Sequence, residues 1–73
     1  MKTKTLLSIA ADIERTLGIQ TKTTVNKMTE MVKAAAGHCR TKAEAAETLA
    51  RDFYDYDPAE WPAMRELVAS YRA

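Results

Sequence analysis

The sequence predicts an all-α fold, a single compact bundle of four short helices formed by residues 1–73. Apolar residues recur at spacings of three and four along most of the chain, as on one face of a helix. No segment alternates apolar with polar residues long enough to form a strand. Thirteen alanines, the best helix-forming residue, favour the same fold. We expect the helices at about residues 5–17, 23–36, 42–54 and 58–72.

The first two helices are predicted by their apolar stripes and by the glycines that follow them. Thr5 is placed to cap helix 1, and Gly18 is placed to end it in the left-handed conformation. Helix 2 ends in three alanines before Gly37, and these small side chains allow another helix to approach closely. The stripes are Leu6, Ile9, Ala10, Ile13 and Leu17 in helix 1, and Val25, Met28, Met31, Val32, Ala35 and Ala36 in helix 2.

Two capping boxes predict the starts of the last two helices. Thr41 stands three residues before Glu44, and Asp57 stands three residues before Glu60. A second proline, Pro62, comes about one turn into helix 4 and lacks the N–H that a regular helix needs there. We therefore expect helix 4 to be kinked or to form a 3₁₀ turn near its start.

The composition argues against several classes of protein. No run approaches the ~20 apolar residues of a membrane span, and one cysteine excludes a disulfide scaffold or a cysteine-rich zinc site. His38 and Cys39 are neighbours of potentially reactive type, but a lone cysteine usually serves packing. So short a chain has little room for a pocket of the usual ~300–1,000 Å³. We expect a cytoplasmic protein that is not an enzyme, with no catalytic residues, no metal and no cofactor.

Charge is distributed unevenly along the chain, although the net charge is only +1. Residues 1–42 carry eight Lys and Arg against three Asp and Glu, a net charge of +5. Residues 43–73 carry three against seven, a net charge of −4. Such asymmetry is typical of a nucleic-acid face or a charged partner surface. It is equally consistent with halves that attract each other within one chain or between the copies of a homo-oligomer.

Residues 52–61 combine four of the five aromatic residues with four acidic residues and no basic one. Phe53 continues the apolar stripe of helix 3, and Tyr56 and Trp61 flank the second capping box as a hydrophobic staple would. Tyr54 and Asp55 have no such role and are expected to point outward. Tyrosine and tryptophan concentrate in binding hot spots, and an acidic rim attracts a basic partner.

This window predicts a small regulator, inhibitor or adaptor that docks on another protein with a basic surface. The alternative is a well-capped connection between helices whose charges are simply solvated. The predicted partner-binding residues are Tyr54, Asp55, Asp57 and Glu60.

A second hypothesis comes from residues 17–27, with the sequence LGIQTKTTVNK. The segment resembles the turn and recognition helix of helix-turn-helix repressors, with a turn glycine, an apolar residue and small polar residues before Val-Asn-Lys. The resemblance implies a dimeric DNA-binding module that reads duplex DNA with the start of helix 2. Glu14 stands where those repressors have a small residue, and an amphipathic helix with a threonine-rich start is the alternative interpretation. The predicted nucleic-acid contacts are Gln20, Lys22, Thr23, Asn26 and Lys27.

Overall fold

The computed structural model describes residues 1–19 and 25–72 and confirms the all-α fold. The helices are α1 (Thr3–Leu17), α2 (Val25–Ala36), α3 (Lys42–Thr48) and α4 (Pro62–Ser70). A π-helix, Leu49–Phe53, continues α3 without a break. Neither of the two described ranges contains a strand.

Helix α1 starts earlier than predicted and ends where Gly18 predicts. The predicted Thr5 cap is wrong, because Lys2 occupies the N-cap position and no side chain caps this helix. Gly18 adopts a φ of 69°, and the N–H of Ile19 donates to the carbonyl oxygen of Glu14 over 3.0 Å. A bond across this span is the hallmark of the Schellman motif, which supplies a partner for a carbonyl at the helix end.

A tight corner joins α2 to α3. The N–H of Gly37 donates to the carbonyl oxygen of Lys33 over 2.8 Å. A β-carbon at position 37 would lie 2.5 Å from that same oxygen, so the corner requires glycine for close approach. Two residues later Cys39 is buried and its N–H donates to Ala36 over 3.1 Å. The corner is therefore fixed by backbone bonds and by a buried side chain.

The third predicted helix is present, but its hydrogen bonding changes midway. Thr41 Oγ1 accepts the N–H of Glu44 at 3.1 Å, which confirms the predicted N-cap. At the end of the π-helix, the N–H of Tyr54 donates to the carbonyl oxygen of Leu49 over 2.9 Å, five residues back. A π-helix of this kind places one extra residue in the turn.

Helix α4 shows the irregular start that its two prolines predict. Residues 58–60 form a separate turn, closed by the carbonyl oxygen of Asp57, which accepts the N–H groups of Glu60 and Trp61, both at 2.9 Å. The regular helix begins only at Pro62, where a missing N–H removes no helical hydrogen bond.

The core lies between the four helices and is built largely of small side chains. Six of the fourteen apolar residues that are buried in the described ranges are alanines. The largest fully buried side chains are those of Leu6, Ile9, Ile13, Val32, Leu49 and Met64. Four buried alanines lie along α3 and the π-helix, at Ala43, Ala45, Ala46 and Ala50. They present a flat surface against which the other helices pack.

Candidate functional site

The predicted docking face lies in the connection between the π-helix and α4, and we call residues 54–61 the acidic turn. Asp55 has a φ of 61° and is the one non-glycine residue of the described ranges with a positive φ. Aspartate tolerates this left-handed conformation better than most residues. The N–H of Tyr56 then donates to the carbonyl oxygen of Ala50 over 2.7 Å, and the chain leaves the helix.

Asp57 holds the middle of the acidic turn in shape. Its Oδ1 accepts the N–H of Ala59 at 2.9 Å, in addition to the two bonds that its carbonyl oxygen accepts. The predicted cap is thus present, but it closes the turn at residues 58–60 and not the start of α4, where Trp61 is the N-cap residue. Because Asp57 has this structural role, its substitution would alter the turn as well as the charge.

Trp61 is the aromatic residue that the acidic turn exposes. Its side chain packs edge-on against Tyr56, with ring centroids 4.7 Å apart and the planes inclined by 74°. This contact confirms the predicted pairing of the two rings. Trp61 nevertheless remains 44% exposed, more than any other large apolar residue of the described ranges. The predicted face does not include Trp61, because the hydrophobic staple explains its position without a partner.

Tyr54 lies differently from the prediction. It packs against the core, with its ring edge-on to Phe53 and the centroids 4.7 Å apart. Its hydroxyl lies 3.5 Å from the carbonyl oxygen of Ala10, to which it donates, and it faces the carboxylate of Glu14. The outward orientation expected for Tyr54 is therefore wrong. The side chain joins the end of the π-helix to α1.

A second tyrosine makes a similar connection to α1. The Tyr71 hydroxyl, just beyond α4, donates to the carboxylate of Asp12, which also pairs with Arg15. Burial raises the pKa of Tyr71, and the hydrogen bond to Asp12 raises it further. Burial likewise raises the pKa of Tyr54, and the negative charge of Glu14 adds to that effect.

The two tyrosines predict a loss of stability at alkaline pH. In an unfolded chain tyrosine ionises near pH ~10, whereas Tyr54 and Tyr71 keep their protons to higher pH when folded. Above pH ~10 the folded chain therefore binds more protons, and its free energy of unfolding falls as the pH rises. In urea denaturations between about pH 9.5 and 11.5, the free energy of unfolding of the double variant Tyr54→Phe, Tyr71→Phe should fall less steeply than that of the intact chain. An equally steep fall in both proteins would contradict this assignment.

The carboxylates around the acidic turn differ in their pairing. Asp52, just before it, accepts a hydrogen bond from Arg51 at 3.0 Å, and this bond lowers the pKa of the Asp52 carboxyl. Asp55 and Glu60 are exposed and pair with no cation within the described ranges. Arg65, the cation nearest in sequence after the turn, donates to the carbonyl oxygens of residues 58 and 59 and to no carboxylate. The turn thus keeps unneutralised negative charge beside Trp61.

Two open grooves adjoin α4. One, of about 250 Å³, lies between α4 and residues 57–59 and is smaller than the usual small-molecule site of ~300–1,000 Å³. The other, of about 490 Å³, lies between the start of α3 and the end of α4 and falls within that range, so the expectation of little room for such a pocket is wrong. Cys39 lines neither groove, and its Sγ lies 3.5 Å from the hydroxyl oxygen of Thr48. In the part of the chain that the structure describes, no three His, Cys, Asp or Glu residues are grouped as metal ligands.

Three of the five residues predicted to contact DNA lie outside the described residues. Gln20, Lys22 and Thr23 lie there, and Asn26 is assigned to α2 by its backbone alone. Lys27 is exposed on α2. The helix-turn-helix interpretation of this segment therefore stays a prediction.

The chain matches no family model, no curated protein and no solved structure. Across the described ranges, no helix has both the length and the apolar character needed to span a membrane.

Proposed function

We propose that this chain is a small non-enzymatic binding protein, a regulator, inhibitor or adaptor, that docks on a partner protein through the acidic turn. The observation that carries the proposal is the exposed indole of Trp61 beside unpaired carboxylates. Large aromatic side chains that stay exposed on a folded surface are typical centres of protein interfaces. Self-association of the chain stays a prediction.

The structure changes which residues of the predicted face are available to a partner. Asp55, Glu60 and Trp61 are exposed, whereas Tyr54 and Asp57 support the turn through contacts within the chain. The proposed contact set is therefore the exposed three. Tyr56 packs against one side of the indole and restricts the conformations of the Trp61 side chain. Binding a partner through Trp61 therefore costs less conformational entropy.

The charge of this contact set favours a basic partner surface. Carboxylates at the rim of an interface act mainly by raising the association rate, and added salt weakens that effect. A cationic side chain of the partner would also be attracted to the face of the indole. The proposal thus expects an affinity that decreases as the ionic strength increases.

The test compares two variants that remove the same charge. Asp55→Asn with Glu60→Gln removes two of the three negative charges of the acidic turn, and asparagine tolerates the positive φ of position 55. Glu44→Gln with Glu66→Gln neutralises two exposed carboxylates on α3 and α4 and serves as the matched control. Affinity capture with the intact chain identifies partners, and each purified partner is then titrated while the emission of Trp61, the one tryptophan, is followed.

We expect the acidic-turn variant to bind its partner about tenfold more weakly than the intact chain, from two charge contacts of roughly 0.2–1 kcal/mol each. The control should bind as the intact chain does. Equal affinity of both variants, or an emission of Trp61 that does not change on binding, would show that the partner docks elsewhere.

The alternative function, a helix-turn-helix-like module that reads duplex DNA, rests on residues 17–27 and on the positive charge of the first half. It requires a preference for one DNA sequence, which Gln20→Ala with Asn26→Ala would abolish. A titration in which all duplexes bind alike, or in which none binds at low salt, removes this alternative.

A further inference from the structure

We propose that the corner between α2 and α3 is a second binding surface, which contacts the phosphate backbone of nucleic acid. We call its four residues, Lys33, His38, Arg40 and Lys42, the basic corner. All four are exposed, and they fall within ten residues of the chain. None belongs to the acidic turn or to the helix-turn-helix-like segment, so the inference goes beyond the function proposed above.

The fold holds these side chains outward by burying residues between and beside them. Ala36, Cys39 and Ala43 are buried, with exposed fractions of 5% or less. The Sγ of Cys39 lies 3.5 Å from the hydroxyl of Thr48 on α3, and Gly37 leaves no room for a β-carbon. The corner is thus anchored on both helices. The backbone that carries its cationic residues is already fixed, so binding a ligand costs no conformational entropy to order it.

The backbone also brings two of the cations together. Thr41 between them is extended, with φ −119° and ψ 157°. In an extended segment, residues two apart direct their side chains to the same side and lie ~7 Å from each other. Arg40 and Lys42 therefore form a pair of adjacent positive charges.

Ion pairing distinguishes the basic corner from Arg51 and Arg72. Arg51 pairs with Asp52 and Glu47, at 3.0 and 3.9 Å, and Arg72 pairs with Glu47 at 3.8 Å. Lys33, Arg40 and Lys42 form no ion pair with any residue of the described ranges. Residues 31–43 also contain no Asp or Glu. The positive charge here remains available to an external anion.

Nucleic acid fits this surface better than an acidic protein does. The exposed residues from 37 to 42 are glycine, histidine, arginine, threonine and lysine, with no aromatic or large apolar side chain to anchor a protein interface. Phosphate contacts are made by just such cationic and polar groups, and they carry no sequence preference. We therefore expect binding to duplexes of any sequence.

The experiment titrates the full chain into a fluorescein-labelled mixed-sequence duplex and follows anisotropy at several salt concentrations. Three phosphate contacts predict that log K falls against log salt with a slope of about −2.7. Arg40→Ala with Lys42→Ala should reduce the slope to about −0.9 and remove most of the binding at low salt. Arg51→Ala with Arg72→Ala changes the net charge equally but removes cations that are already paired, so it should keep the slope of the intact chain.

Three results would overturn the proposal. The first is no binding to the duplex at low salt. The second is an equal loss of duplex affinity in the two double variants, since the change in net charge alone would then explain the loss. The third is a polyglutamate peptide of equal charge that binds as tightly as the duplex, which would indicate an acidic protein partner. Circular dichroism of each variant confirms that these exposed positions leave the helices intact.

Discussion

Replacing Leu49 with alanine is expected to lower the free energy of unfolding by about 2–5 kcal/mol. Leu49 is fully buried and stands where α3 passes into the π-helix, so the shortened side chain leaves a cavity at the centre of the core. A domain of 73 residues has a total stability of only about 4–11 kcal/mol. We therefore expect a large shift of the urea midpoint, followed by circular dichroism, or a chain that does not fold.

The matched control removes the same atoms from a less buried leucine. Leu67 lies on α4 and packs only partly against the core. Its replacement by alanine should cost about 1 kcal/mol, because less apolar surface is lost to water. Equal costs at the two positions would mean that the π-helix junction is not the centre of the core.

Much of the fold follows from local rules that the sequence displays. The end of α1 at Gly18 and the cap of α3 by Thr41 each depend on a residue type with one strong conformational or hydrogen-bonding preference. Such signals need no tertiary information. The start of α1 was less predictable, because Thr3 and Thr5 are equally suited to cap a helix and the structure uses neither.

The orientation of Tyr54 could not be predicted, because it depends on the π-helix. Extrapolating a period of 3.6 residues from Ala46 and Leu49 directs Tyr54 toward solvent. The extra residue in the π-helical turn displaces every later position by about one residue, and Tyr54 then lies against α1. Nothing in the sequence of residues 49–53 indicates this change.

The candidate docking site stays a prediction, but the structure differs from the sequence analysis in which residues of the acidic turn are exposed. The density of acidic and aromatic residues identified the acidic turn, and Asp55 and Glu60 are exposed there. Trp61 was assigned entirely to the staple. A staple buries only one side of a ring this large, and the sequence does not show how much of the indole surface stays exposed.

Replacing Ala46 with leucine tests the inference that the alanines of the third helix are packing surfaces. Ala46 is completely buried, and its neighbours Ala43, Ala45 and Ala50 are buried with it. Leucine has the same high helix propensity but adds three carbon atoms where no space is left. We expect a loss of about 1–3 kcal/mol in the free energy of unfolding, because the packed helices must move apart.

The control for this prediction is the same substitution at an exposed alanine. Ala63 lies on the solvent side of α4, so Ala63→Leu should change stability by no more than about 0.5 kcal/mol. The measurement is again urea denaturation, with the slope of the transition compared between the variants. If Ala46→Leu were as stable as Ala63→Leu, the alanine face would be loosely packed. The close approach of the helices would then need another cause.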